Sequence, residues 1–166
     1  MGEALIDIIV SPQGEIDSVV GGGPVNTART IARLGTEVSF LGGISQDALG
    51  KRISRLLESD NVNCAIEQHC AAPTTLAIAS LDESGSASYQ FLICGTSSLS
   101  VTPEIALAAV NPSAVAVHIG TLALIFEPLS SATRAVVSAM GEDQLLMMDP
   151  NARPSVMDDP TQFWES

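Results

Sequence analysis

Aromatic residues make up only 4% of the 166-residue chain, so its core has to be filled by Val, Ile, Leu and Ala, as in layered α/β folds. Cations are scarce as well. Seven Lys and Arg against nineteen Asp and Glu leave a net charge of −12, and an extended nucleic-acid backbone would be repelled. A small phosphorylated ligand is still compatible with that balance, because a few backbone amides or one Arg can hold it locally. Cys64, Cys70 and Cys94 are too few and too irregularly spaced for a disulfide framework, and Met1 leads into GEALIDIIV without a basic leader. No apolar run approaches the roughly 18 residues of a membrane helix. These absences point to the reducing cytoplasm, with no nucleic acid and no membrane as partner. The 46% of hydrophobic residues suffice for one domain with a buried core.

The hydrophobic pattern alternates between strand and helix periods. EALIDIIV at 3–10 is a β-branched run with one acid, Asp7, inside it, which suits a buried strand whose charge faces a site. GEIDSVV reads as an edge strand. GGGPVNTARTIARLG then combines a glycine turn, Pro24 at a helix start, Ala28, Ile31, Ala32 and Leu34 on one side, and Gly35 as terminator. TEVSFLGGI (36–44) is expected to be a strand, SQDALGKRISRLLESD a helix burying Leu49, Ile53, Leu56 and Leu57, and NVNCAIEQ (61–68) a further short strand. This order implies parallel pairing. TTLAIASL and SASYQFLIC flank DESG, whose residues are turn chemistry for an antiparallel hairpin. Helix 103–110, strand SAVAVHIG, helix EPLSSATRAVVSAMG and strand QLLMMDP follow, and the last acidic segment reads as a helix beginning. The pattern predicts a mostly parallel α/β sheet flanked by helices, with a small antiparallel β hairpin, in a chain that reads as truncated.

Several short motifs bear on chemistry. In GGGPVN (21–26) bare glycines let a ligand approach the backbone, and Asn26 near a positive helix end offers both an amide donor and a carbonyl acceptor. The spacing is not that of a GxGxxG dinucleotide fingerprint, and GKR at 50–52 lacks the Ser or Thr of a phosphate loop. Asp7 is either a ligand-facing carboxylate or a capping or salt-bridged acid. Cys64, His69 and Cys70 supply three ligand types without a fourth, so no metal site is expected. His118, in an apolar strand with no serine or cysteine nucleophile near it, is read as core or site-lining and has no assigned role. Tyr89 and Phe91 share a strand face and are either hairpin core or part of a cover over a ligand.

GEALIDI, GGGPVNTARTIARLG, VSFLGGISQDALG and DPNARP, in this order, resemble the amino-terminal half of the ribokinase-like (PfkB) carbohydrate kinases, with fructokinase-like members the nearest pattern. The similarity runs from Gly2 to about Pro154. Ser45 departs from it, standing where members usually carry Gly. The resemblance implies a ribokinase-like fold over 1–166 with lid segments at about 11–20 and 74–96. It also implies that Asp7, Asn26 and the backbone of Gly21 and Gly22 bind sugar hydroxyls, that Tyr89 or Phe91 closes over the sugar, and that Asn151 and Arg153 stand beside the transferring phosphates. Arg153 reads alternatively as a loop ion pair, and Asp149 as a residue that fixes the loop.

The same resemblance implies ATP and Mg2+ as cofactors, a small-molecule sugar as partner and a homodimer through the lid. Family members use an Asp base in a GAGD motif, and this chain carries no GAGD. The parent therefore reads as a kinase phosphorylating a fructose- or ribose-like sugar, and this chain as its sugar-binding half, inactive alone. The other reading is a non-catalytic sugar-binding module.

Overall fold

The computed structural model describes residues 1–151. Strand β1 (Leu5–Val10) turns through Gly14 into β2 (Ile16–Gly21), which pairs with it antiparallel. On its other side β1 runs parallel to β5 (Thr75–Leu81), and β5 makes the expected hairpin with β6 (Ala87–Leu92), giving the order β2-β1-β5-β6. The DESG turn closes because Asp82 Oδ1 accepts from the backbone N–H groups of Ser84 and Ser86, both at 2.9 Å.

Between these halves lie helix α1 (Gly23–Arg33), β3 (Ser39–Phe40), helix α2 (Ala48–Ser59) and β4 (Asn63–Cys64). Helix α3 (Pro103–Ala109), β7 (Ala116–Gly120), helix α4 (Leu129–Ser138) and β8 (Leu145–Asp149) complete the described chain. The ladders β3·β4 and β7·β8 are parallel, as is β1·β5, while β2 and β6 pair antiparallel at the two edges of the larger sheet. The parallel ladders and the antiparallel β5–β6 hairpin are what the alternating pattern implied, while the antiparallel pairing of the edge strand β2 with β1 is added by the structure.

Two expectations need correction. The strands expected over 36–44 and 61–68 shrink to two residues each. Ahead of any longer ladder the chain reaches Gly42 and Gly43, which press on the carbonyl oxygens of Gly2 and Ser97 so tightly that no Cβ would fit. The segment is spent on close packing instead of strand pairing. Leu34, expected on the buried side of α1, is 79% exposed, because the helix stops there and Gly35 (φ 85°) swings the chain away.

Period-two alternation gives the sheet two unlike faces. Ile6, Ile8, Val20 and Leu76 point to one side, where α1 and α2 cover them with Val25, Ala28, Ile53 and Leu57. Leu56 and Leu49 are only partly buried. Leu5, Asp7, Ala77 and Phe91 point to the other side, where a small buried cluster forms with Ile93 and Leu122. Among the described residues no helix is long and apolar enough to cross a membrane.

Polar clamps hold the helices in place. Asp60, at the end of α2, accepts from Arg29 Nε at 2.6 Å and Arg33 Nε at 2.8 Å of α1. Asp47 caps α2 by accepting from Gly50 N at 2.7 Å, and it also takes Thr74 N at 2.9 Å and Thr74 Oγ1 at 2.6 Å, fastening the helix start to the start of β5. Partial burial alone would raise the Asp47 pKa, but the hydrogen bonds from Thr74 and Gly50 outweigh it and hold the carboxyl at about 2. Asp47→Ala should lower stability by about 1–2 kcal/mol in urea denaturation at pH 7. A folded pKa below the ordinary 3.8 means that this contribution is present above about pH 4 and is lost as pH falls through about 2. The wild-type and variant curves should therefore converge in acid, and a constant gap down to pH 2 would contradict the assignment.

Candidate functional site

The site begins where β2 ends and α1 starts, because three successive glycines there have no room for a side chain. A Cβ on Gly21 would collide with Asp7 Oδ2, one on Gly22 would stand 2.6 Å from the Glu3 carbonyl oxygen, and one on Gly23 would stand 2.7 Å from Thr121 Cγ2. Gly22 also sits at φ 104°, a conformation that only glycine adopts without strain. The turn thus brings the Asp7 carboxylate against bare backbone. Asn26 lies one turn into α1, exposed, with its N–H on Gly22 O at 3.0 Å. Asp7, Gly21, Gly22 and Asn26, singled out from the sequence, are one neighbourhood.

The hairpin aromatics lie on the same sheet face as Asp7. Asp7 pairs with Ala77 on β5, and Ala77 pairs with Phe91 on β6, so Phe91 stands in Asp7's own row, about 10 Å away at two strand spacings. Tyr89 is one step farther along the strand, 47% exposed, with its ring 6.3 Å from that of Phe91 and 18° from parallel. Phe91 packs on the Leu5, Ala77 and Leu122 cluster, while Tyr89 projects from its edge.

Asn151 follows β8, exposed and at φ 39°, and its N–H donates to Asp149 Oδ1 at 3.1 Å. Asp149 fixes the loop, as the sequence suggested. Arg153 lies outside the described residues. His118 is half-buried; burial lowers its pKa, the Met1 amino group adds to the effect, and Asp149 opposes it. Its ring lines a cleft of about 610 Å³ between α1 and β7, bordered by Pro24, Ala28, Phe40 and Val117, which contains none of the sugar candidates. His69 Nε2 is 3.3 Å from Ser54 Oγ, and among the described residues no group of three or more His, Cys, Asp or Glu side chains could hold a metal ion.

Two residues of this neighbourhood escaped the sequence reading. Glu3 is 2% exposed, and its Oε1 accepts from Gly23 N at 3.3 Å and from Thr121 Oγ1. Burial pushes its pKa up to about 7, against the pull of those two donors and the Met1 amino group. Because this lies above the ordinary 4.5, its effect on stability is most favourable below about pH 4.5 and diminishes as pH rises to about 7. Thr121 holds φ 57°, an outlier for a β-branched residue. The usable signal was parity: Glu3 and Asp7 are acids of the same alternation in an otherwise apolar run.

Comparison with known proteins places this geometry. Residues 2–163 match the model of the pfkB family carbohydrate kinases. A fructokinase of Klebsiella pneumoniae is 28% identical over 96% of this chain and 52% of its own length, and fructokinase-2 of Zea mays is 32% identical over 92% and 48%. The chain spans about half the length of the curated relatives it matches. Among solved structures, the fructokinase of Xylella fastidiosa superposes with TM-score 0.83 at 26% identity over 99% of this chain and 56% of that one. The fructokinase of Vibrio cholerae O395 in its fructose, ADP and calcium bound form gives 0.81 at 26% over 99% and 53%. The fold is ribokinase-like.

Gly22→Ala combines a backbone collision with an unfavourable φ and should cost about 2–4 kcal/mol by urea denaturation. Gly85→Ala, at φ 82° with open space around it, carries only the conformational part and should cost about 1 kcal/mol. Equal costs would mean that the turn is not packed as described.

Proposed function

The chain belongs to the pfkB family of carbohydrate kinases, and on that premise we propose that it supplies the sugar-binding half of an enzyme that moves a phosphoryl group from ATP to a hydroxyl of a fructose- or ribose-like sugar. The observation that carries the reading is the contact between the Asp7 carboxylate and Gly21 at the glycine turn. A carboxylate accepts hydrogen bonds from two sugar hydroxyls, and Asn26 adds a donor and an acceptor whose directions a lone charge cannot discriminate. Gly21 and Gly22 contribute backbone groups of the same turn. A fructokinase relative whose structure contains fructose and ADP supports the substrate class.

The remaining roles follow the chemistry of each group. Tyr89 and Phe91 cap the sugar as the hairpin (about 74–96), with the β2 segment (about 11–20), closes as a lid and keeps water from the transferring phosphoryl group. The same lid forms the contact of a homodimer. ATP supplies the phosphoryl group; Asn151 and Arg153 stand on the phosphate side, where a guanidinium neutralises charge on the phosphoryl oxygens. Mg2+ would accompany the ATP phosphates in the parent enzyme and neutralise part of their charge. The chain has no GAGD to take the proton from the sugar hydroxyl, so it binds without turning over. Three unpaired cysteines fit a cytoplasmic setting.

Calorimetric titration of the purified chain with fructose and ribose tests the reading. Asp7→Asn should weaken the preferred sugar by about tenfold or more, the value of hydrogen bonds to a charged acceptor, and Asn26→Ala by less. Unchanged affinity in Asp7→Asn would overturn the site assignment. Sugar-dependent ATP consumption by the chain would overturn the division of labour, and sugar binding by a full-length form without turnover would favour the non-catalytic module.

A further inference from the structure

We infer that Glu3 is a positioning residue: through Thr121 it ties the glycine turn of the sugar site to the loop after β8, so that the sugar side and the phosphate side of the site hold one relative geometry. The inference rests on the sugar-site reading above and extends it to a residue outside the ligand-facing set.

Four contacts form the connection. Glu3 Oε1 receives the N–H of Gly23, the first residue of α1, at 3.3 Å, and on the same oxygen the hydroxyl of Thr121, which follows β7 directly. Helix α1 has no side-chain cap of its own and no acidic residue in its first turn, so the Glu3 carboxylate acts as the anion at its positive end. Beyond Thr121, a Cβ on Gly120 would collide with the Asp149 carbonyl oxygen, so β7 and β8 are in backbone contact at that point. Asp149 Oδ1 then holds the N–H of Asn151.

Two features mark this connection as more than core packing. Glu3 Oε2 is buried with no hydrogen-bond partner, where an apolar residue would fill the space without leaving a polar atom unpaired. Thr121 keeps a left-handed backbone that a β-branched residue adopts only when its surroundings impose it. An acid and a strained threonine are retained where neither is needed for burial alone.

Charge on Glu3 and the tightness of this connection are linked. The Gly23 and Thr121 donors pull the Glu3 pKa down from where burial drives it, so the ionised form must in turn strengthen both hydrogen bonds. The charged groups around Glu3 are few. The Met1 amino group acts on it from two residues earlier in the chain, its own pKa brought down to about 6 by burial, Asp7 lies farther along on β1, and neither the first turn of α1 nor the Thr121–Leu124 turn carries an ionisable side chain. His118 acts at the Asp149 end of the connection.

Amide spectra of the 15N-labelled chain between pH 5.5 and 8.5 test the inference, with fructose titrations at both ends of the range. Gly23 and Thr121 should share one titration with a midpoint near 7, Asn151 should follow it, and all three responses should vanish in Glu3→Gln. Fructose affinity should be about fivefold weaker at pH 5.5 than at 8.5 in the wild type, the difference between a neutral and a charge-assisted hydrogen bond, and flat in Glu3→Gln. Thr121→Val removes the hydroxyl at similar volume; it should leave the Gly23 titration and abolish that of Asn151, a result that decides the matter even if Glu3→Gln fails to fold. An Asn151 titration that survives in either variant belongs to another group, His118 or the Met1 amino group that burial brings down to about 6, and overturns the coupling, as does a Gly23 signal that does not titrate. Absence of fructose binding at every pH overturns the sugar reading instead, while the amide titrations still decide whether Glu3 connects the two loops.

Discussion

The glycine turn between β2 and α1 works because it is crowded. Each of its three Cβ positions is taken by an atom from elsewhere: the Asp7 carboxylate, the Glu3 carbonyl and the Thr121 methyl. Those three neighbours come from strand β1, from the residues leading into it and from the residue after β7, so the packing of the turn depends on segments far apart in the chain. A single methyl group at Gly22 would push on backbone rather than on a side chain that could rotate away. The absence of side chains is therefore a packing requirement first, and the access it gives a ligand to the backbone follows from it.

The same assembly explains why charge is concentrated where it is. Nineteen acids in a chain with seven cations cannot all be paired with cations. Asp60 takes two arginines of α1, whereas Asp47 and Asp82 are satisfied by backbone N–H and hydroxyl donors, which need no cation. Glu3 stands apart, since it is buried with donors on one oxygen and none on the other. Its burial and Asp47's donors push their pKa values in opposite directions, one to about 7 and the other to about 2. Environment decides this, because both are carboxylates beside helix N-termini.

Much of the fold was legible because it rests on local periodicity. The β-branched run of β1, the DESG turn and the amphipathic repeat of α2 state their structure within a few residues. The short ladders β3 and β4 were not legible, since what limits them is the contact of Gly42 and Gly43 with segments far along the chain. Leu34 fell on the wrong side of the helix end by one residue, within the range over which caps move a boundary. At the site, Asp7 and the glycines announced themselves by standing out from their surroundings. Glu3 and Thr121 did not, because they meet across 118 positions and a threonine's backbone angle leaves no trace in composition.

The two faces of the four-stranded sheet are covered by different means. Helices α1 and α2 cover the Ile6 and Ile8 side, whereas on the other side Leu5 and Ala77, 3% and 1% exposed, are buried with Ile93 and Leu122 from the segments that follow β6 and β7. On that side the buried Leu5 and Ala77 and the half-buried Phe91 surround the half-buried acid Asp7. The antiparallel strands widen the sheet beyond its one parallel pair, and β6 carries Phe91 into the row of Asp7, so the surroundings of the acid are set by a strand more than eighty residues away.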